Sequence, residues 1–173
     1  YLPLDEEIGW RMKLDELPGL ITDKTRAILL NSPSNPTGAI FTKEELAAVA
    51  EEVLKHNLIL ITDEPYEFLR FDGAQVPDLI SDERLRFNRI ACFSFSKEYE
   101  MTGYRGGYVF AEEGMIRQMM KIHDALSFPR RAPRRLRHSR QQPETSHASK
   151  SFVRLWRRGA TECADIWIRW VNG

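Results

Sequence analysis

The sequence predicts an α/β fold with a mainly parallel sheet and flanking helices. Two observations predict it: short apolar runs that end in polar or turn-forming residues, and amphipathic patterns between them. Apolar runs of about four to eight residues bounded by turn signals are typical of buried strands, and apolar residues three to four apart are typical of helices. The composition, 42% apolar and 29% charged, fits a globular chain with one substantial core.

The first predicted unit is a strand, a helix and a second strand. Residues 26–30 form an apolar run, which ends at a loop, 31–38, that is dense in turn formers. Residues 43–56 follow as an amphipathic helix that begins with a capping box. Because residues 58–62 form a second apolar run, the order predicts a βαβ unit with parallel strands and a right-handed crossover.

Further strands are predicted at 90–95 and 107–111, and a further helix at 115–126. Polar residues stand at the carboxyl ends of two strands: Asp63 ends the second run and Lys97 follows the third. Open α/β sheets bind their ligands at the carboxyl ends of the strands. We therefore expect these polar residues to lie together at one edge of the sheet.

Three segments follow the strand ends: Asn-Pro-Thr-Gly at 35–38, Asp-Glu-Pro-Tyr at 63–66, and SFSKEYEMTGYRGGY at 94–108. Each segment alone is a weak signal, but their order and spacing together are specific. Together they resemble the class I/II aminotransferases, fold-type I pyridoxal-phosphate enzymes of the aspartate aminotransferase type. The resemblance covers about residues 1–128, which are then expected to be part of the large, cofactor-binding domain.

The resemblance implies that pyridoxal 5′-phosphate is the cofactor and that Lys97 binds it. Lys97 would form the Schiff base with the cofactor aldehyde and then move a proton as general base and acid. Asp63 would pair with the pyridine nitrogen, because a nearby carboxylate favours the protonated ring that accepts carbanion electrons.

Four more residues match cofactor contacts of the family. Asn35 and Tyr66 match residues that bind the phenolic oxygen of the cofactor. Arg105 and Ser94 match residues that hold its phosphate, and the guanidinium fork suits a phosphate better than an ammonium does. No metal site is expected.

The implied reaction is amino-group transfer between an amino acid and a 2-oxo acid, in an intact protein that forms homodimers. The family's upstream segment and small domain are not recognisable in this chain, so we expect it to be weak or inactive, and its amino-acid substrate stays undetermined. A carbon–sulfur lyase or decarboxylase would share the same cofactor residues. The effector domain of an aminotransferase-like transcription regulator is a non-enzymatic alternative.

The balance of charged residues changes from acidic to basic near Phe128. Residues 1–128 hold 14 Lys and Arg against 22 Asp and Glu, whereas residues 129–173 hold 11 against 3. Codons can be assigned so that the adjacent frame of residues 132–143 gives RTPPSQAQPPAA, similar to the TPSQ-type stretch of the family. We interpret residues 129–173 as a poorly ordered, frameshifted tail, which predicts one base lost near codons 127–131.

The competing interpretation is a nucleic-acid arm, since ten of the 11 basic residues in this tail are arginines. We rank it lower because the tail carries no nucleic-acid-binding motif. No run of 18 apolar residues suggests a membrane span. Cys92 and Cys163 fit neither a disulfide framework nor a zinc site, and this favours a cytoplasmic location.

Overall fold

The computed structural model describes residues 1–71, 73–102, 106–126 and the strand 166–169. The strands are β1 (Leu4–Asp5), β2 (Arg11–Met12), β3 (Ala27–Asn31), β4 (Ile59–Asp63), β5 (Arg89–Ser94), β6 (Gly106–Ala111) and β7 (Ile166–Arg169). The helices are α1 (Leu17–Leu20), α2 (Lys43–Lys55), α3 (Phe95–Glu98) and α4 (Glu113–Leu126), with single 3-10 turns at Leu14–Glu16 and Glu83–Leu85. None of the helices in these ranges has the length and apolar character needed to cross a membrane.

Five strands form one sheet in the order β3-β4-β5-β6-β7. β3, β4 and β5 pair in parallel, and β6 pairs antiparallel with both of its neighbours. Within this described sheet four strands therefore run one way and β6 runs the other, which confirms the predicted mainly parallel sheet. Each predicted strand and helix is present, with ends within two residues of those expected from the sequence.

Helix α2 covers one face of the sheet. It begins at the predicted capping box, where Thr42 Oγ1 accepts from the Glu45 amide at 3.2 Å and Glu45 Oε2 accepts from the Thr42 amide at 2.7 Å. Leu46, Val49 and Val53 recur at helical spacing and are buried in the core that includes Leu30 of β3 and Leu60 of β4. Full burial of such a side chain contributes about 1.5–3 kcal/mol, so this face fixes α2 against the sheet.

A second core lies on the other face, under helix α4. Ile116 of α4 is buried with Val109 of β6, and Ile90 of β5 packs against them. Ile90 is in register with Ile61, the neighbour of Leu60 in β4. Because successive side chains of a strand point to opposite faces, Ile90 and Leu60 lie on opposite faces of the sheet. The described sheet thus has a helix on each side.

The short hairpin β1–β2 is attached to the start of α2 through one buried carboxylate. Glu45, 6% exposed, accepts from the Met12 amide at 2.7 Å and from Arg11 Nη1 at 3.0 Å. Arg11 Nη2 also donates to the Ile40 carbonyl at 2.9 Å. The hairpin therefore fixes the chain on both sides of the α2 N-terminus, directly after the 31–38 loop.

Candidate functional site

The candidate site lies where three neighbouring parallel strands end. Asn31 is the last residue of β3, Asp63 of β4 and Ser94 of β5, so all three stand at the same edge of the sheet. Asn31 is in register with Asp63, and Asp63 with Cys92. Side chains in one register row share a face, and Ser94 shares it too because it is two residues after Cys92. The four side chains therefore lie on one face at one edge.

Asn35 lies in the loop that leaves β3. The loop closes on itself, because the Gly38 amide donates to the Ser34 carbonyl at 2.8 Å and the Ser34 amide donates to the Ala39 carbonyl at 2.9 Å. Gly38 has φ +73°, a left-handed conformation that glycine adopts without steric cost. The Asn35 amide donates to Asn31 Oδ1 at 2.8 Å, which ties the loop back to the strand end.

Tyr66 joins the Asn35 loop to Lys97. Asn35 Nδ2 donates to the Tyr66 hydroxyl at 3.4 Å. The Lys97 ammonium lies 5.7 Å from the centre of the Tyr66 ring, within the range of a cation–π contact. Three of the predicted site residues, which are separated by about 30 positions in the chain, are therefore neighbours in the fold.

The Asp63 carboxylate is held by Asn31. Asn31 Nδ2 donates to Asp63 Oδ2 at 3.3 Å and to the Asp63 carbonyl at 3.1 Å. Partial burial raises the pKa of Asp63, and the Asn31 hydrogen bond opposes that rise. Burial, reinforced by the charges of Asp63 and Glu64, raises the pKa of the neighbouring Cys92 thiol to about 11. Cys92 is therefore a thiol and not a nucleophilic thiolate at neutral pH.

Lys97 is carried by the one-turn helix α3, and Ser94 starts that helix. Ser94 Oγ accepts from the Ser96 amide at 3.1 Å, so it acts as the N-cap. Lys97 itself is exposed at the same edge. The predicted phosphate ligand Arg105 lies outside the described residues.

Two glutamates near the site, Glu64 and Glu67, are partly buried. Glu64 Oε1 accepts from Thr62 Oγ1 at 2.6 Å. Burial raises the pKa of Glu64 to about 7, although the Thr62 bond opposes it, and burial together with the charge of Glu98 raises the pKa of Glu67 to about 7. Thr62 and Asp63 point to opposite faces of β4, so the Glu64 carboxylate, which bonds Thr62, lies on the face opposite Asp63.

The groups at this edge suit a flat heteroaromatic molecule that carries an aldehyde, a ring N–H and a ring oxygen. Lys97 offers an amine, Asp63 an acceptor for a ring N–H, and Tyr66 and Asn35 donors for a ring oxygen. All four side chains are at least partly exposed, so a molecule has access to them. In the described ranges, no group of three or more His, Cys, Asp or Glu side chains could hold a metal ion. The donor set therefore fits pyridoxal phosphate.

Comparison with known sequences decides the family. The sequence model of the family "Aminotransferase class I and II" matches residues 1–157. The chain belongs to the aminotransferase class I and II family. Members of this family depend on pyridoxal phosphate. Aromatic-amino-acid aminotransferase 2 of Thermococcus litoralis is 37% identical over 121 residues, and aspartate aminotransferase of Bacillus subtilis is 37% identical over 123 residues.

Solved aminotransferase structures agree with this family assignment. The aromatic aminotransferase of Pyrococcus horikoshii matches with a TM-score of 0.67 and 42% identity over 70% of this chain. The aspartate aminotransferase of Thermotoga maritima matches with a TM-score of 0.68 and 29% identity over 72% of the chain. The fold is therefore that of part of a fold-type I aminotransferase.

The chain spans only part of these aminotransferases. The match to the T. litoralis protein includes 70% of this chain but only 31% of that protein. The match to the B. subtilis enzyme includes 68% of this chain and 30% of that enzyme. The chain covers 32% of the P. horikoshii structure and 33% of the T. maritima structure. The chain thus corresponds to about a third of an aminotransferase of this family.

One residue with site contacts was not singled out from the sequence. Asn31 was counted among the turn formers of the 31–38 loop, yet its side chain contacts both Asp63 and Asn35. The available signal was its position, because Asn31 and Asp63 each end a strand of the same predicted βαβ unit.

Proposed function

We propose that this chain is the cofactor-holding part of a pyridoxal-phosphate-dependent aminotransferase, which moves an amino group between an amino acid and a 2-oxo acid. The observation that carries the proposal is the meeting of Asn35, Tyr66 and Lys97 beside Asp63 at one sheet edge. These residues come from three separate segments, and each has the chemical type that the reaction needs. Family membership supports the same reaction.

Each residue has a distinct role in the proposed reaction. Lys97 binds the cofactor through its amine and then moves a proton at the substrate Cα, as base and then as acid. Asp63 keeps a ring nitrogen protonated by placing a carboxylate next to it. Bound pyridoxal phosphate would supply an aldehyde and an electron-accepting ring.

The remaining predicted ligands orient the cofactor. The Tyr66 hydroxyl, which accepts from Asn35, stands ready to donate its own proton to a phenolic oxygen. Ser94 and Arg105 are proposed as phosphate ligands, Ser94 from its position at the start of α3 and Arg105 from the sequence resemblance alone. The resemblance also predicts that the intact protein is a homodimer, and the cysteine pattern favours a cytoplasmic location.

We expect the 173-residue chain by itself to be weak or inactive in transamination, because it spans less than a third of the T. litoralis relative. Binding of the cofactor is a more sensitive test than turnover. The purified chain is mixed with pyridoxal phosphate, and the long-wavelength absorbance band of the lysine-bound cofactor is recorded. Reduction with borohydride followed by peptide mass spectrometry then identifies the modified residue.

The expected result is a band and a modified Lys97 in wild type, and loss of both in Lys97→Ala. Lys121→Ala is the matched control, because Lys121 is an exposed lysine on α4 that bonds only Gln118 among the contacts described. An unchanged band in Lys97→Ala, or modification spread over surface lysines in wild type, would contradict the proposal.

A further inference from the structure

The side chain of Asn31 connects two proposed ligands of the cofactor. Its amide nitrogen donates to the carboxylate of Asp63, and its amide oxygen accepts from the backbone N–H of Asn35. A carboxamide is suited to this position because it carries a donor and an acceptor at once. Aspartate would lack the donor, and alanine would lack both groups.

We propose that Asn31 is a positioning residue of the cofactor site, an inference that rests on the function proposed above. Asn31 holds the Asp63 carboxylate, which would pair with the ring nitrogen of the bound cofactor. The same side chain fixes the start of the loop that carries Asn35. The residue that would meet the ring nitrogen and the loop that carries the proposed ligand of the phenolic oxygen are thereby kept in a constant relation to each other.

The arrangement differs from an ordinary strand-end bridge. Asn88 makes such a bridge at the other end of the sheet, where its Nδ2 donates to the Leu58 carbonyl at 2.8 Å and to Asn57 Oδ1 at 3.3 Å. Asn88 links strands β4 and β5 without contacting a predicted site residue. Asn31 makes a comparable bond to the Asp63 carbonyl and adds two bonds to site residues.

The test uses two variants that separate the two contacts of Asn31. Asn31→Ala removes both contacts. Asn31→Asp retains an acceptor for the Asn35 N–H but places a second carboxylate beside Asp63. Asn88→Ala is the matched control, since it removes an asparagine bridge of similar geometry at the far end of the same sheet.

Two measurements on the cofactor-free full-length chain decide the inference. The pKa of Asp63 is measured by NMR titration of its carboxyl carbon, and the exchange rate of the Asn35 amide is measured by hydrogen exchange. In Asn31→Ala the Asp63 pKa rises, because burial is no longer opposed by the Asn31 bond, and Asn35 exchanges about fivefold to tenfold faster. In Asn31→Asp the Asp63 pKa rises further because of like-charge repulsion, while Asn35 stays protected.

Asn88→Ala leaves both quantities at their wild-type values. An Asp63 pKa that is unchanged in Asn31→Ala, or one that shifts equally in Asn88→Ala, would overturn the positioning role. Affinity for pyridoxal phosphate provides a third readout, and it is expected to fall about fivefold in Asn31→Ala. If wild type fails to bind the cofactor, the proposed function fails, and the two measurements on the cofactor-free chain still decide whether Asn31 holds Asp63 and Asn35 together.

Discussion

Replacing Glu45 tests whether the buried carboxylate fixes the region that precedes the site. Glu45→Ala leaves three donors without their acceptor: the amides of Met12 and Thr42 and the guanidinium of Arg11. Leaving one buried donor unsatisfied costs about 1–3 kcal/mol, and breaking a buried ion pair costs about 3–5 kcal/mol. Because Arg11 can turn toward water, we expect Glu45→Ala to lower the free energy of unfolding by about 3–5 kcal/mol.

Glu45→Gln separates charge from shape. Glutamine keeps one oxygen acceptor but presents an N–H₂ group to a donor, so a loss of about 1–3 kcal/mol is expected. The assay is urea unfolding of the full-length chain followed by far-ultraviolet circular dichroism. Glu51→Gln is the control on the same helix, because the Glu51 side chain is 65% exposed and pairs with Arg84 in solvent, so its unfolding midpoint should match wild type. Equal midpoints for Glu45→Ala and Glu51→Gln would refute the reasoning.

Four further outcomes are expected. The Leu60 side chain is only 1% exposed, so Leu60→Ala should lower the free energy of unfolding by about 2–5 kcal/mol in the same urea assay. A smaller change than that of Glu51→Gln would contradict the placement of Leu60 in the core. The folded-state pKa of Glu64, about 7, lies above its usual 4.5, so its stabilising contribution is complete below about pH 4.5 and is lost as pH rises toward and beyond 7. Urea midpoints measured at acidic and alkaline pH should show that Glu64→Gln is more stable than wild type only at alkaline pH. A difference in midpoint between Glu64→Gln and wild type that does not change with pH would count against a raised pKa of Glu64. Tyr66→Phe removes the hydroxyl that Asn35 contacts, so the affinity for pyridoxal phosphate should fall about fivefold, as measured by absorbance titration. Equal affinities of Tyr66→Phe and wild type would argue against a contact between the Tyr66 hydroxyl and the cofactor. If residues 129–173 are out of frame, the coding DNA should lack one base near codons 127–131 relative to intact relatives, and an alignment without that offset would end the frameshift hypothesis.

The order and ends of the main helices and strands can be predicted from the sequence, because the capping residues and apolar spacing agree with what is buried in the fold. The capping box at Thr42 and the spacing of Leu46, Val49 and Val53 specify where α2 starts and which side is buried. The apolar runs of β3, β4 and β5 end where polar residues begin, and this places Asn31, Asp63 and Ser94 at one edge. Because these strands pair in parallel, their carboxyl ends meet at one edge, and no signal beyond the strand boundaries is needed to predict this.

What the sequence did not show depends on contacts between side chains far apart in the chain. The bond of Asn31 to Asp63 is set by the register of β3 against β4, which the residue types alone do not reveal. Glu64 and Glu67 lie in the loop after β4, and the burial that raises the pKa of both has no signal in the residue types of that loop. The identity of the amino-acid substrate has no signal in the described residues.

The parallel pairing of β3 with β4 links ligand binding to the integrity of the sheet. Asn31 and Asp63 are 32 positions apart in the chain, so they meet only after the helix between them has docked and both strands have aligned. A ligand that binds both Asp63 at the end of β4 and the Asn35 loop that follows β3 would hold these two strands together. Such a ligand should raise the melting temperature of the chain in proportion to the logarithm of ligand concentration above its dissociation constant, which differential scanning fluorimetry can record.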